Sequence, residues 1–177
     1  VINPLTEMGA SIKSSSGKLP ISILPTSLQK QYTYELPVAS AQVKSSILLA
    51  GLASGSVVEI IEPIQTRDHT ERMLNNFGAN IEISSEGSKN IIQLSSSNQL
   101  IAKNYTVVGD ISSAAFLIVA ALISQSSGLE ITNVGMNPSR TGVLEALKNM
   151  GANIEVKNQR LESGEPCADL KIKKSKL

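Results

Sequence analysis

The chain has 177 residues, 41% apolar and 18% charged, with a formal net charge of +1: enough apolar content to bury one large core or two small ones, which excludes a disordered chain, and too little net charge to argue for nucleic-acid or membrane partners. A single cysteine, Cys167, excludes an internal disulfide framework and suits a reducing, cytoplasmic compartment. No basic-apolar signal segment opens the chain, its longest apolar run, residues 114–123, is well short of the ~20 residues that cross a bilayer, and Val1 in place of Met suggests a trimmed or partial chain.

In chain order, the opening residues belong to a helix with Pro4 at an early turn position. Residues 10–13 and 21–24 are expected to form a hairpin around a turn at 14–17, with a loop at 25–31 and a further strand at 32–36. A helix is expected over 40–52, broken at Gly55, then a strand at 57–61. Asp68, with Glu71 three residues on, has the form of a capping box opening a second helix, on which Met73, Leu74 and Phe77 make one apolar stripe. Residues 80–84 and 90–94 form a hairpin around Glu86-Gly87, which completes a β-α-β-α-β-β unit. The turn-rich stretch 95–104 is the best boundary. A strand at 105–108 then leads into a helix that is apolar on every side over 114–123, and such a helix is normally buried. A strand at 129–134 and an amphipathic helix over 141–150, carrying Val143, Leu144, Leu147 and Met150, follow. The last hairpin pairs 153–156 with 168–172 across a longer loop. Lysines between 171 and 176 are expected on a solvated strand edge, and Cys167 at a loop-to-strand junction.

Three stretches repeat: Met8-Gly9-Ala10-Ser11-Ile12, Phe77-Gly78-Ala79-Asn80-Ile81 and Met150-Gly151-Ala152-Asn153-Ile154. In each the glycine closes a helix and an alternating strand follows. Each copy carries one wholly apolar helix, so copies should stack around those helices with sheets outside. Two and a part copies are too few to close such an assembly.

The chemistry concentrates at residues 36–74. Leu36-Pro37-Val38-Ala39-Ser40-Ala41-Gln42 turns a strand into a helix, and a helix start offers free backbone N–H groups to an anion. Ser40 adds a hydroxyl and Gln42 an amide. Arg67, one strand later, can return a forked cation suited to phosphate. From the residues alone, this is an anion site that competes with plain structural roles. Ser40 also fits a helix N-cap, Gln42 a solvated position, and Arg67 a partner for Glu62. His69 beside a helix start and Asp110 at Gly109-Asp110 fit structural and capping roles better than acid–base ones. Lys44 fits a surface charge near the anion site, and Arg140 the strand–helix turn around it.

Four motifs carry a resemblance: Leu36 to Ser45; Thr66-Arg67-Asp68-His69-Thr70-Glu71-Arg72-Met73-Leu74; Gly109-Asp110-Ile111-Ser112-Ser113-Ala114-Ala115-Phe116; and Asn133 to Gly142 with its Asn137-Pro138-Ser139-Arg140 centre. Together they resemble the enolpyruvyl transferases, and within them the EPSP synthase family, over essentially the whole chain. The resemblance implies an α/β fold of the inverse α/β barrel type, two domains each of three β-α-β-α-β-β units. Residues 1–102 would be the later part of one domain and 103–177 the first unit of the other, in an internal fragment. It implies transfer of the enolpyruvyl group of phosphoenolpyruvate to the 5-hydroxyl of shikimate 3-phosphate, with release of phosphate and no metal or organic cofactor. Ser40, Ala41, Gln42 and Arg67 then correspond to substrate-binding positions, Gln42 also neighbouring phosphoenolpyruvate. The family's lysine-serine-arginine motif, glycine-rich loop and catalytic carboxylates are not in these residues, so the chain is expected to be inactive without the rest of its parent. The UDP-N-acetylglucosamine enolpyruvyl transferases, and a non-catalytic repeat module that holds an anion, are the alternatives.

Overall fold

The computed structural model describes residues 1–96, 99–125 and 128–177, which gather into two units, Val1–Ala102 and Lys103–Leu177. The stretch expected to separate them includes Ser97 and Asn98, which lie outside the described residues.

The first unit contains α1 (Ile2–Glu7), β1 (Ser11–Ser15), β2 (Lys18–Leu24), β3 (Gln31–Glu35), α2 (Ala41–Ser54), β4 (Val57–Glu62), α3 (His69–Asn76), β5 (Ile81–Glu86) and β6 (Lys89–Leu94). The expected hairpins are present as β1–β2 and β5–β6, both antiparallel. β3, β4, β6 and β5 lie side by side in that order, with only the β3–β4 pair parallel, as a helical crossover requires. From β3 onward the unit therefore runs β-α-β-α-β-β. Alternation along β4 turns Val58, Ile60 and Glu62 inward. α2 meets them with the stripe Lys44, Ile47, Leu48 and Gly51, the i, i+3, i+4, i+7 spacing of one helix face. Leu36, Leu74, Ile92 and Leu94 complete the core. Gly55 ends α2 in the left-handed region at φ 65°, where glycine bears no Cβ penalty.

The second unit contains α4 (Ile111–Ile123), β7 (Leu129–Gly135), α5 (Gly142–Asn149), β8 (Asn153–Glu162) and β9 (Glu165–Lys173). Its antiparallel sheet has the order β7, β9, β8. Ile118, Leu122, Val134, Leu144, Leu147, Leu170 and Ile172 form its core.

Several sequence expectations change here. Asp68 precedes α3 but makes no side-chain cap. Its carboxylate instead takes the Arg72 guanidinium at 2.8 Å, and Glu71 turns inward, so the capping box never forms. On α3, Leu74 is buried but Met73 is 41% exposed. Residues 105–108 are not a strand; the segment contributes a single parallel bridge, Gly109 to Val134. α4 is apolar all round but is not buried all round: Ile111, Ala114, Ile118, Ala121 and Leu122 face the core, while Phe116 is 80% exposed. One sheet can cover only one side of a helix. Met150 is exposed, so the α5 stripe rests on Leu144 and Leu147. The final hairpin turns tightly at Ser163-Gly164; its long "loop" is strand, with an irregularity between Lys157 and Arg160. Consequently Cys167 lies buried within β9, and Lys171 and Lys173 belong to a central strand, not an edge.

Candidate functional site

Ser40 is extended (φ −144°, ψ 107°), and its hydroxyl accepts the Val43 N–H at 3.4 Å, while the Lys44 N–H donates to the Ser40 carbonyl at 3.1 Å. The cap thus occupies the Val43 and Lys44 amides. Among the described residues no acceptor faces the amides of Ala41 and Gln42, which leaves two donors at the positive end of a 14-residue helix. Ser40 and Val43 also line a cleft of about 520 Å³ whose other walls include Pro4, Ile21, Tyr34 and Leu36. Ala41, Gln42 and Arg67 do not line that cleft.

Below this turn lies a buried ion cluster. Lys44, 1% exposed, places its ammonium 3.0 Å from Glu62 Oε1 and 2.5 Å from Glu71 Oε1. Glu62 Oε1 also accepts the Thr66 hydroxyl at 2.5 Å. Ser45 and Thr70 share a hydroxyl contact of 2.6 Å. Burial pushes the Glu71 carboxyl above its ordinary value, and the Lys44 ammonium opposes that rise. Arg67 sits half-buried on the loop between Glu62 and Glu71, with no side-chain hydrogen bond or ion pair among the described residues.

In the second unit, Asp110 caps α4 by accepting the Ser112 N–H at 3.0 Å, and Arg140 donates to Asp110 at 3.2 Å and to the Ser112 hydroxyl at 2.5 Å. The Ser112 amide is the main reason that the Asp110 carboxyl sits below the usual range, with Ser113 and Arg140 adding to it. Asp169 is held low chiefly by the Asn133 amide at 2.8 Å, then by Asn158 and Arg160. No group of His, Cys, Asp and Glu among the described residues is arranged to hold a metal.

The family model described as EPSP synthase (3-phosphoshikimate 1-carboxyvinyltransferase) matches residues 1–176. The chain belongs to the EPSP synthase family. Among its relatives, the 3-phosphoshikimate 1-carboxyvinyltransferase of Pseudomonas sp. (strain PG2982) is 46% identical over 180 residues, covering 100% of this chain and 40% of that protein. The enzyme of the same name from Hydrogenovibrio crunogenus is 49% identical over 179 residues, with the same coverage. A solved EPSP synthase from Acinetobacter baumannii superposes with a TM-score of 0.82 at 47% identity, over 98% of this chain and 39% of that one. The chain thus spans about 40% of the length of these EPSP synthase relatives.

Of the four positions that the motifs single out, Ser40, Ala41 and Gln42 form the first turn of α2. Arg67 precedes α3, whose Thr70 touches Ser45, one helical turn beyond Gln42. Arg67 does not hold Glu62, because Lys44 and Thr66 already do. His69 is the exposed first residue of α3. Lys44 is not a surface charge. Two signals in the sequence could have found its cluster: Lys44 falls on the same helix stripe as Ile47, Leu48 and Gly51, and Glu62 on the same strand face as Val58 and Ile60. A cation and an anion at core positions of adjacent elements call for each other.

Proposed function

We propose that this chain is part of a two-domain 3-phosphoshikimate 1-carboxyvinyltransferase, with residues 1–102 in one domain and 103–177 opening the other, and that Ser40, Ala41, Gln42 and Arg67 bind its phosphorylated substrate. In that reaction the 5-hydroxyl oxygen of shikimate 3-phosphate bonds to C2 of phosphoenolpyruvate. The bond between C2 and the bridging oxygen of the phosphate is broken, and inorganic phosphate departs with that oxygen and, in net terms, the hydroxyl proton, without a metal or organic cofactor. What supports the reading is that, among the described residues, neither the helix-start amides of Ala41 and Gln42 nor the Arg67 guanidinium has a partner. Both suit a phosphate dianion, and a carboxylate counter-ion would have silenced Arg67. Gln42, exposed on the same turn, supplies an amide for the ring hydroxyls or for phosphoenolpyruvate. These residues bind and orient; none of the four is suited to the proton transfers, which fall to the rest of the parent. A cytoplasmic location goes with this reading.

The test is titration of the chain with shikimate 3-phosphate, followed by amide shifts. Binding should perturb Ala41, Gln42 and Arg67 and weaken in Arg67→Ala and Gln42→Ala, with no phosphate release from the chain when phosphoenolpyruvate is added. Binding of UDP-N-acetylglucosamine in place of shikimate 3-phosphate, or indifference to both substitutions, would overturn the assignment.

A further inference from the structure

The buried cluster under the candidate site has a geometry that core packing does not require. Apolar side chains at 44, 62 and 71 would fill the same volume, and replacing a buried ion cluster by hydrophobes is often neutral or stabilising. What the cluster does is specific in space. Glu62 ends β4 and Glu71 lies in the first turn of α3, and the segment between them, residues 63–70, carries Arg67. Both ends of that segment are held by one ammonium, at 3.0 and 2.5 Å. The same residue, through its backbone N–H, closes the first turn of α2 onto the Ser40 carbonyl at 3.1 Å. Thr66 is drawn to Glu62, and Thr70 to Ser45, so the loop is tied on both sides of Arg67.

We propose that Lys44 is a positioning residue: through Glu62 and Glu71 it fixes the Arg67 loop against the Ser40–Gln42 turn, so that guanidinium and helix start present one geometry to an anion. The proposal rests on the substrate reading above only for what the loop is positioned for. An apolar core would glide; an ammonium within ion-pair reach of two carboxylates in a low-dielectric setting is held to one arrangement, even with Glu71 Oε2 left without a hydrogen-bond partner among the described residues. Lys44 is not itself one of the four ligand positions; its direct contact with them is the backbone bond to the Ser40 carbonyl.

The test uses the whole chain and two independent readouts. Hydrogen exchange, made without ligand, compares wild type with Glu71→Gln, which keeps the shape and removes the charge. Amides 66–72 should exchange faster while those of β4 and β6 keep their protection; unchanged loop exchange, or a loss spread evenly over the first unit, overturns the proposal. Glu71→Asp, which retracts the carboxylate by one carbon and keeps its charge, reads the same displacement should the glutamine variant not fold. In the second readout, shikimate 3-phosphate should bind Glu71→Gln about tenfold more weakly than wild type, within the range for coupling carried through packed neighbours that do not touch the ligand; equal affinity counts against Lys44 as a positioning residue. Absence of binding to the wild-type chain would instead count against the substrate assignment, and the exchange comparison would still decide the role of Lys44.

Discussion

Gly51 offers a measurement of how closely α2 sits on its sheet. It is the last residue of the buried stripe, and a Cβ built there would lie 2.3 Å from Val58 Cγ2, 3.3 Å from Val58 Cβ and 3.5 Å from Leu94 Cδ2. Carbon atoms in ordinary contact are ~3.5–4.0 Å apart, so the Val58 methyl would have to withdraw by about 1.2 Å (3.5 − 2.3). Val58 and Leu94 are both fully buried and give it nowhere to go. Two effects oppose each other in Gly51→Ala. Alanine favours the helix by ~1 kcal/mol, and overpacking costs ~1–3 kcal/mol. The net expectation is a loss of about 1 kcal/mol in the first unit. The sign should reverse when the obstacle is removed: on a Val58→Ala background, Gly51→Ala should stabilise, with a coupling of at least ~1 kcal/mol between the two positions. Urea unfolding followed at first-unit amides by hydrogen exchange gives all four corners of the cycle. Gly51→Ala that stabilises with Val58 intact, or that has the same effect on both backgrounds, would show that α2 does not press on β4 as described.

Lys44→Met should cost the first unit ~3–5 kcal/mol in urea unfolding, because it strands two buried carboxylates, and Lys44→Met/Glu62→Gln/Glu71→Leu should recover most of that loss. The two units should respond oppositely to acid. Asp110 and Asp169, held below the ordinary aspartate value of ~3.9, contribute stability that is present above that value and lost as pH falls through their folded-state values. Glu71, raised by burial, contributes stability that is full below the ordinary ~4.3 and lost as pH rises through its folded-state value. Exchange protection measured from pH 7 downward should therefore fall in the second unit, less so in Asp169→Asn, and the Glu71 component should vanish in Glu71→Gln. Cys167, 1% exposed and with its thiol pushed up by burial, should resist an alkylating reagent until the second unit is unfolded in urea, as mass spectrometry would read.

Local signals settled most of the element order. The three helix-closing glycines all take positive φ, at 110°, 87° and 95°, and each ends a helix ahead of an alternating strand, because glycine alone enters that region without a Cβ penalty. The Ser40 cap, the Gly55 stop and the two polar hairpin turns likewise depend on a few neighbouring residues, so the chain announces them wherever it is read. The family motifs are contiguous strings, which is why Ser40, Ala41, Gln42 and Arg67 could be singled out from the sequence as candidates. Tertiary structure decided what depends on partners distant in the chain. A strand at 105–108 needs neighbours along its edge, and among the described residues the bridge formed here, Gly109 to Val134, lies just beyond it. The outer face of α4 needs a second cover and has none among the described residues, so Phe116 is exposed despite the all-apolar sequence around it. Asp68 and Glu71 carry a capping pattern, yet Arg72 and Lys44 compete for them. A buried charge without its counter-charge costs more than a lost cap, and so the longer-range contact wins.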